Sequence, residues 1–504
     1  MSSPIQGTVW PRRRELALIA SLLLLASGIG AYLITTTVVI SRDGVYYIQC
    51  AQKIGDDVRA TGQGRPPAYP FLIYLVHTAI TATAGDRSVG MWVLSAQLVA
   101  LAGRVLSLIP IYLIGRHFVG PRTSMIGLAA LIFLPDPARV GSDALRDWPA
   151  ILFMATGFLL LLKGGNDRPW LYGWAGVVCG LGCMVRTETA QLLFYGLGWM
   201  AIGVLGADRL PRKGSLQAAG LLLLGFAIPA VFYLWCRGWR LPYEFDLLQG
   251  GTPVPVAVAA SASLYPAGHM PVVSWLFLGS VPGFDLIWDM LGKFGQNLLW
   301  IYFPALVVGM VCRLRHTSAA KERFFILSAL LLTSLVLAVR YYQVSPKLSS
   351  RYVLPLVAIL SFYIPVGLAA IGFPLERRLL KLVGPKAINV GYLPRFDVLL
   401  LVGGILFCLP KLLDPPRMDK MAFRQSSQWL AANTSAATVV ASEDTRIPFY
   451  AQRLMGNNLT GFDYAARILG DNDHREVPPG WREVYRAALD AKSGGAIVIY
   501  KTPR

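Results

Sequence analysis

The first polar segment of the chain contains a carboxylate and an arginine that are both suited to group transfer. Asp43 belongs to the stretch SRDGVYY, which directly follows a long apolar run. Arg65 lies further along in GRPPAYP, where two prolines stiffen the backbone behind it. A carboxylate can accept or orient a proton, and a planar guanidinium suits phosphate oxygens. Taken alone, such an aspartate is more often a helix cap or a salt-bridge partner.

Similar charged and aromatic residues recur at the ends of later apolar runs. Charges at membrane depth are expensive, so a repeated set of them indicates a functional site. The later segments are SDALRDWP, VRTETA with Arg186 and Glu188, and the stretch from Arg340 through KLSSRY to Tyr352.

The composition places these residues in a membrane protein. Of the 504 residues, 55% are hydrophobic and only 15% are charged, and the mean hydropathy is +0.51. The net charge of +19 does not indicate nucleic-acid binding, because Lys and Arg concentrate in short loops between apolar runs. The six cysteines are scattered, without the spacing of a metal site.

Apolar runs predict an all-α polytopic fold with about eleven transmembrane helices, since a span needs about 20 apolar residues. The first run follows Arg12 to Arg14 and is expected to remain as a signal anchor. The runs cover residues 15–40, 89–115, 122–135, 148–163, 170–185, 189–206, 216–236, 297–313, 323–340, 352–373 and 396–413.

Alternate connections differ in charge, which predicts the orientation. With the N-terminus inside, the loops near 116–122, 163–168, 209–213, 313–323 and 377–395 are inner and rich in Lys or Arg. Carboxylates then concentrate on the outer face. They are Asp43, Asp56, Asp57, Asp86, Asp136, Asp143, Asp147, Glu188, Glu244, Asp246, Asp285 and Asp289.

The outer loops 41–88 and 237–296 contain apolar stretches too short to cross a bilayer, and these predict interfacial helices. After Leu413 the composition changes to a polar helix and short strands. We therefore expect a transmembrane catalytic domain over 1–414 and a small soluble α/β outer domain over 415–504.

A reaction that fits is attack by an acceptor on an anomeric carbon whose leaving group is a lipid-borne phosphate. The acceptor needs a carboxylate, for which Asp43 is the candidate. The departing phosphate needs fixed cations, for which Arg65 and Arg351 are the candidates.

The order of these segments resembles the GT-C integral-membrane glycosyltransferases of family 39. That family includes the protein mannosyltransferases, and the bacterial transferase that adds aminoarabinose to lipid A is similar. The resemblance runs over most of residues 10–460. It is carried by the first-loop aspartate, RPPAYP, LRDWPA, RTE, SSRYVLPLVAILSFYIPVGL and, in the tail, WLAANTSAATVVASEDTRIPFYAQ.

The resemblance implies that Asp43 is the first-loop catalytic aspartate and Asp147 the second catalytic carboxylate. It implies that Arg65 and Arg351 face the lipid phosphate, with Tyr352 beside Arg351. We also expect substrate contacts from Tyr46, Tyr69, Arg186, Glu188 and Arg340.

One departure from the family pattern concerns metal binding. Many members have a second acid after the first-loop aspartate, whereas this chain has Gly44. No cofactor is firmly implied: a divalent metal held by Asp43 and Asp147, and a salt bridge from Asp147 to Arg146 or Arg186, are both compatible with the sequence.

We therefore expect a glycosyltransferase that uses a polyprenyl-phosphate monosaccharide on the periplasmic or outer face of a bacterial inner membrane. The acceptor is a glycan, a lipid or a protein, and the stretch 66–80 forms part of a groove for the donor's tail. A transporter or flippase for lipid-linked sugars is the alternative. Arg104, inside the second apolar run, favours that alternative, whereas the charges at outer helix ends argue against it. A scaffolding protein would leave the acidic face unexplained.

The predicted topology has a direct test. Reporter fusions in the loops at Lys213 and at Ser349 should report opposite sides of the membrane, because an odd number of predicted spans separates them. Two fusions that report the same side would contradict this topology.

Overall fold

The computed structural model describes most of the chain, and the following paragraphs concern those residues only. They are 11–55, 66–165, 167–204, 212–236, 239, 283–316, 320–343, 348–383, 396–456, 462–470, 477–489 and 495–503.

The described residues form a helical body followed by a small mixed domain. The helices of the body are α1 (Arg12–Thr36), α2 (Arg42–Gln52), α3 (Ala68–Ala84), α4 (Val89–Val119), α5 (Pro121–Phe133), α6 (Pro135–Val140), α7 (Asp147–Lys163), α8 (Trp170–Val185), α9 (Gln191–Val204), α10 (Arg212–Cys236), α11 (Gly283–Asn297), α12 (Phe303–His316), α13 (Ala320–Gln343), α14 (Leu354–Leu360), α15 (Ile364–Val383) and α16 (Phe396–Leu413).

The predicted all-α polytopic fold is confirmed. The described parts of the apolar runs are mostly helical, and six helices of the described part are long and apolar enough to cross a membrane. The exact number of eleven spans stays a prediction. The six candidates are Arg12–Thr36, Val89–Val119, Gly214–Trp235, Ala320–Tyr341, Leu354–Pro374 and one within Phe396–Asn433.

Glycine lets neighbouring helices approach closely. A Cβ placed on Gly225 of α10 would lie 2.0 Å from the carbonyl oxygen of Gly173 in α8, and one on Gly367 of α15 would lie 1.7 Å from that of Ala305 in α12. Inside a bilayer, helices associate mainly through such van der Waals packing, because lipid is as apolar as their side chains. At these two points α10 packs directly on the backbone of α8, and α15 packs directly on that of α12.

At one end of the bundle, which we call the Glu15 end, two buried carboxylates are neutralised by arginines. Glu15 pairs with Arg116 at 2.7 Å and accepts a hydrogen bond from Tyr112. Glu322 pairs with Arg313 at 2.6 Å. The opposite end, which we call the Asp43 end, contains α2, the start of α7 and the end of α8.

The described parts of the two long loops form helices, as predicted. In the first loop, α3 packs on α2 and α4. In the second, α11 presents exposed apolar residues on one face, among them Ile287 and Trp288, as an interfacial helix would. Glu244 and Asp246 of this loop, and Asp56 and Asp57 of the first, lie outside the described residues.

The chain after α16 folds into a C-terminal α/β domain. Its helices are α17 (Met421–Asn433) and α18 (Arg446–Ala451). Its strands are β1 (Val439–Ser442), β2 (Leu454–Met455), β3 (Tyr464–Gly470), β4 (Arg482–Ala488) and β5 (Gly495–Lys501), in the sheet order β2-β1-β3-β5-β4. Leu430 of α17 is buried with Val440, Ile497 and Ile499 of the sheet.

This domain lies directly on the Asp43 end of the bundle. The hydroxyl of Tyr450 accepts a hydrogen bond from the backbone N–H of Ile40 at 2.9 Å. Arg42, the first residue of α2, donates to the carbonyl oxygen of Glu443 at 2.8 Å. The C-terminal domain thus contacts the short segment that joins α1 to α2.

Two glycines of α10 provide a matched test of the close helix packing. Gly225→Ala should destabilise the protein by about 1–3 kcal/mol, because its methyl group meets the backbone of α8. Gly220→Ala in the same helix should be neutral or slightly stabilising, since open space surrounds that position and Ala favours helix. Thermal unfolding of the two purified variants compares them. Equal melting temperatures would contradict the packing described here.

Candidate active site

Asp43 lies in the first turn of α2, and local sequence explains why the helix begins there. Ser41 is the N-cap, and its Oγ accepts a hydrogen bond from the backbone N–H of Gly44 at 3.1 Å. A carboxylate in the first turn also interacts favourably with the helix dipole. The helix start therefore presents Asp43 at a fixed position on the bundle end.

Asp43 forms an ion pair with Arg351. The Nη2 of Arg351 and the Oδ2 of Asp43 are 2.5 Å apart, and both side chains are 25% exposed. The two side chains that the sequence predicts to face the acceptor and the phosphate are thus neighbours, and part of each is open to solvent.

The segment carrying Arg351 is held by α11. Asp289 accepts a hydrogen bond from the backbone N–H of Leu348 at 2.8 Å, and Asn297 donates to the carbonyl oxygen of Ser350 at 2.7 Å. Residues Ser350–Tyr352 then form a single 3₁₀ turn before α14. Sequence reasoning missed the roles of Asp289 and Asn297, because their partners lie in a different loop.

The structure distinguishes between the two salt-bridge partners, Arg146 and Arg186, that the sequence allows for Asp147. Asp147, the first residue of α7, forms an ion pair with Arg186, and both side chains are buried. Arg146 instead donates to the carbonyl oxygen of Val185 at 3.1 Å and lies over the ring of Tyr47 at 5.6 Å. Arg186, and not the adjacent Arg146, is therefore the ion-pair partner of Asp147.

Arg186 also contacts Glu188, which links it to Arg340. The Nε of Arg186 lies 3.1 Å from Glu188, and the Nη1 of Arg340 lies 3.4 Å from the same carboxylate. Burial alone would raise the pKa of Glu188, but Arg186, Arg146 and Arg340 outweigh it and lower this pKa to about 2.

Tyr352 lies among three guanidinium groups. Arg340 donates a hydrogen bond to its hydroxyl. The guanidinium carbons of Arg340, Arg186 and Arg351 lie 4.0, 5.1 and 5.6 Å from the ring centroid. An aromatic face attracts cations, so this ring keeps the arginines together although their charges repel.

The pKa of Arg351 reflects the same balance. Burial opposes its charge, but Asp147 and Asp43 outweigh that effect and raise the pKa of Arg351 above its ordinary value. The guanidinium therefore stays charged, which its predicted role at a phosphate requires.

The predicted aromatic residues support the start of α2. The ring of Tyr47 lies edge-on to Tyr46 at 5.8 Å and to Tyr69 at 5.1 Å. Tyr69, the second residue of α3, is fully buried, and its hydroxyl donates to the carbonyl oxygen of Ala96 at 3.2 Å. The structure thus gives Tyr69 a packing role between α2 and α4; its predicted substrate contact stays untested.

A small cleft lies beside the arginines. Arg186, Glu188, Arg340 and Tyr352 line its charged side. Its remaining lining is mostly apolar and comes from Ala150, Ile151, Met154, Val336, Leu337 and Pro355, together with Thr189, Gln191 and Thr333. The cleft thus joins cationic groups to an apolar wall.

The structure brings together all the predicted site residues that it describes. Asp43, Tyr46 and Tyr69 lie on or beside α2, and Asp147, Arg186, Glu188, Arg340, Arg351 and Tyr352 form one connected set of contacts. Arg65 lies outside the described residues, so its place in this set stays a prediction.

The packing of α2 explains why glycine follows Asp43. A Cβ on Gly44 would lie 2.7 Å from the Cβ of Ala144 and 2.9 Å from its carbonyl oxygen. A second acid has no room there without displacing α2. Within the part of the chain that the structure describes, no cluster of three or more His, Cys, Asp or Glu side chains could hold a metal ion.

Comparisons with known proteins agree with the predicted fold. Residues 65–235 match the family model of the dolichyl-phosphate-mannose-protein mannosyltransferases. The structure resembles that of ArnT from Cupriavidus metallidurans bound to undecaprenyl phosphate, with a TM-score of 0.59 and 12% identity over 97% of this chain and 99% of ArnT. The chain has the GT-C fold. The predicted resemblance to the family 39 glycosyltransferases is thereby confirmed.

A second GT-C structure is similar over a smaller share of its length. The oligosaccharyltransferase of Archaeoglobus fulgidus gives a TM-score of 0.51 at 13% identity, covering 87% of this chain. The present chain spans only 64% of that protein. Among curated protein sequences, none matches this chain significantly.

The ion pairs around Arg186 yield a prediction about pH. Arg186→Gln should cost about 3–5 kcal/mol, because it leaves buried Asp147 without its ion-pair partner, while Glu188 keeps only its pair with Arg340. In the wild type, the folded pKa of Glu188 is depressed to about 2, so its contribution is lost only as pH falls towards that value. In the variant, the loss of stability should shrink as the pH falls, because protonation removes the uncompensated carboxylate charge.

Thermal unfolding in detergent at several pH values measures this effect. Arg486→Gln is the control, since its pair with Glu483 is exposed on β4 and should contribute about 0–1 kcal/mol. An Arg186→Gln variant that loses stability equally at every pH would contradict the assignment.

Proposed function

We propose that this protein transfers a monosaccharide from a polyprenyl-phosphate donor to an acceptor on the periplasmic face of a bacterial inner membrane. The observation that carries the proposal is the contact between Asp43 and Arg351 at the end of a membrane bundle. The carboxylate of Asp43 can accept or orient a proton of the acceptor, and the guanidinium of Arg351 can bind the phosphate of the leaving group.

In the proposed reaction, an acceptor hydroxyl or amine attacks the anomeric carbon of the sugar. A bond forms between the acceptor atom and that carbon while the bond from the carbon to the phosphate oxygen breaks. Asp43 accepts or orients the proton that the acceptor loses. The leaving lipid phosphate gains negative charge, which Arg351 and the predicted Arg65 stabilise more strongly in the transition state than in the bound donor.

The surrounding arginines support the recognition of an anionic donor. Arg186 and Arg340 are held by Glu188 and Tyr352, so that their guanidinium groups are fixed before any ligand binds. Charged groups that are already in position require little reorganisation when the reaction occurs. The small cleft beside these arginines has a mostly apolar wall, so the cationic groups lie at the border of an apolar surface.

We assign no step to a metal ion. Asp43 is paired with Arg351 and Asp147 with Arg186, so each predicted metal ligand already faces a cation. In this proposal Asp147 acts by orienting Arg186 rather than as a second reacting carboxylate, which revises the role that the family resemblance implied.

The donor class is supported by what related structures contain. ArnT from Cupriavidus metallidurans was solved with undecaprenyl phosphate, and the archaeal oligosaccharyltransferase was solved with a tethered acceptor peptide. We propose that the polyprenyl tail lies against α3, whose residues Phe71 and Leu75 are exposed and apolar. The acceptor is a glycan, a lipid or a protein, and the sugar is not specified by these contacts.

The transporter alternative loses its main support. Arg104 is buried, its Nη2 donates to the carbonyl oxygen of Ile132 at 2.9 Å, and its side chain packs near Gly141. These contacts indicate a structural tie between α4 and the end of α5 rather than a substrate-binding group.

Substitutions at the ion pair test the proposed chemistry. Asp43→Asn should lower transfer by about 10²–10⁴-fold while leaving donor binding nearly intact, because it keeps the side-chain shape and removes the proton acceptor. Arg351→Ala should lower both donor affinity and rate, because the phosphate loses a partner in the ground and transition states. Asp419→Asn, at an exposed aspartate paired with Lys420, is the control and should behave as wild type.

The measurement uses purified protein, a radiolabelled polyprenyl-phosphate sugar and a membrane extract as acceptor. An Asp43→Asn variant with full transfer activity would rule out the catalytic assignment. A wild-type protein that moves the donor across a vesicle membrane but does not transfer its sugar would favour the transporter.

A further inference from the structure

Asp143 is a buried carboxylate that the proposed chemistry does not use. It lies between α6 and α7, and its side chain is 7% exposed. Its Oδ1 accepts hydrogen bonds from the backbone N–H of Ser41 at 2.9 Å and of Ala144 at 2.8 Å. Its Oδ2 forms an ion pair with Arg417. Both oxygens are therefore engaged, which argues against a role in binding substrate.

Arg417 connects this carboxylate to the root of the C-terminal domain. It follows α16 and has a left-handed backbone conformation with φ of 61°. Its Nη1 donates to the carbonyl oxygen of Val39 at 3.0 Å, while Nη2 binds Asp143. One side chain thus links the end of the helical body to the residues that precede α2.

Three consecutive residues before α2 are consequently held by side chains from distant parts of the chain. Arg417 binds the carbonyl oxygen of Val39, Tyr450 accepts from the N–H of Ile40, and Asp143 accepts from the N–H of Ser41. Ser41 is the N-cap of α2, and Asp43 follows it in the first turn. The position of Asp43 relative to Arg351 therefore depends on these contacts.

We propose that Asp143 and Arg417 are positioning residues, whose buried ion pair holds the start of α2 so that Asp43 faces the acceptor beside Arg351. The catalytic part of this inference rests on the proposed function. The mechanical part does not, because it concerns only the order of α2.

The physical argument is that α2 cannot order itself. It has 11 residues, and isolated helices shorter than about 12–15 residues are marginal in water. Its N-cap bond from Ser41 fixes only the first turn. A displacement of about 1 Å at a reacting group can cost about 10²-fold in rate. A short helix carrying a reactive carboxylate therefore needs support from the surrounding structure.

The experiment begins with two test variants and one control variant of the full-length protein. Asp143→Asn keeps an oxygen for the N–H of Ser41 but removes the charge that binds Arg417. Arg417→Gln removes the other partner. Asp414→Asn is the matched control: it breaks the pair with Arg139 at the same junction, where Asp414 is 64% exposed and does not contact residues 39–41 in the described contacts.

Two readouts separate positioning from catalysis. Hydrogen–deuterium exchange, measured by mass spectrometry, should be faster over residues 42–52 in Asp143→Asn and Arg417→Gln and unchanged over strands β3 and β5. In the transfer assay, kcat should fall by about 10–100-fold, whereas KM for the donor should stay within about twofold because Arg351 is intact. Arg417→Lys should recover part of kcat, and the double variant should be no worse than the poorer single variant.

Several results would overturn the inference. Unchanged exchange over α2 in both variants would refute the mechanical part, whether or not the enzyme is active. Faster exchange with a wild-type kcat would refute the catalytic part. A wild type that shows no transfer would refute the proposed function, and the exchange rates would then decide the mechanical part alone. If Asp143→Asn does not fold, Arg417→Lys and Arg417→Gln provide the same comparison.

Discussion

Charge pairing at the Asp43 end is the constraint on which the rest of this structure depends. Arg186, Arg340 and Arg351 converge on Tyr352, and such like charges near a membrane are costly unless each finds a partner. Asp147, Glu188 and Asp43 supply these partners. The carboxylates therefore have a double effect, since they offset the repulsion among the arginines and fix the positions of the guanidinium groups.

These charges can meet only because the helices that carry them pack closely. Asp147 begins α7 and Arg186 follows α8, while Arg340 lies near the end of α13. Backbone contacts at Gly225 and Gly367 allow the neighbouring helices to approach to van der Waals distance. A Cβ on Gly182 of α8 would lie 3.0 Å from the Cβ of Phe153 in α7, so the helices that carry Arg186 and Asp147 also pack closely near their charged ends.

The short helix α2 is supported from two sides. Ala144 packs so closely against Gly44 that no side chain fits there, and Tyr450 of the C-terminal domain binds the backbone before the helix. The C-terminal domain is therefore more than a soluble appendage. It contributes a contact to the segment that precedes Asp43. The contact with Ala144 separately explains why this chain departs from the family pattern at Gly44.

The sequence by itself determined the class of protein, the places of the helices and the residue types at the Asp43 end. Hydropathy and helix period act over short stretches, so the apolar runs and the switch to short strands after Leu413 could be read directly. The order of the motifs along the chain also indicated which charged residues, from Asp43 to Arg351, were candidates for the site. Only the tertiary structure decided their partners. Asp147 pairs with Arg186 rather than with the adjacent Arg146. Asp43 pairs with Arg351, which is about 300 residues away in the sequence. Neither pairing can be derived from sequence spacing, because the packing between helices decides which side chains meet.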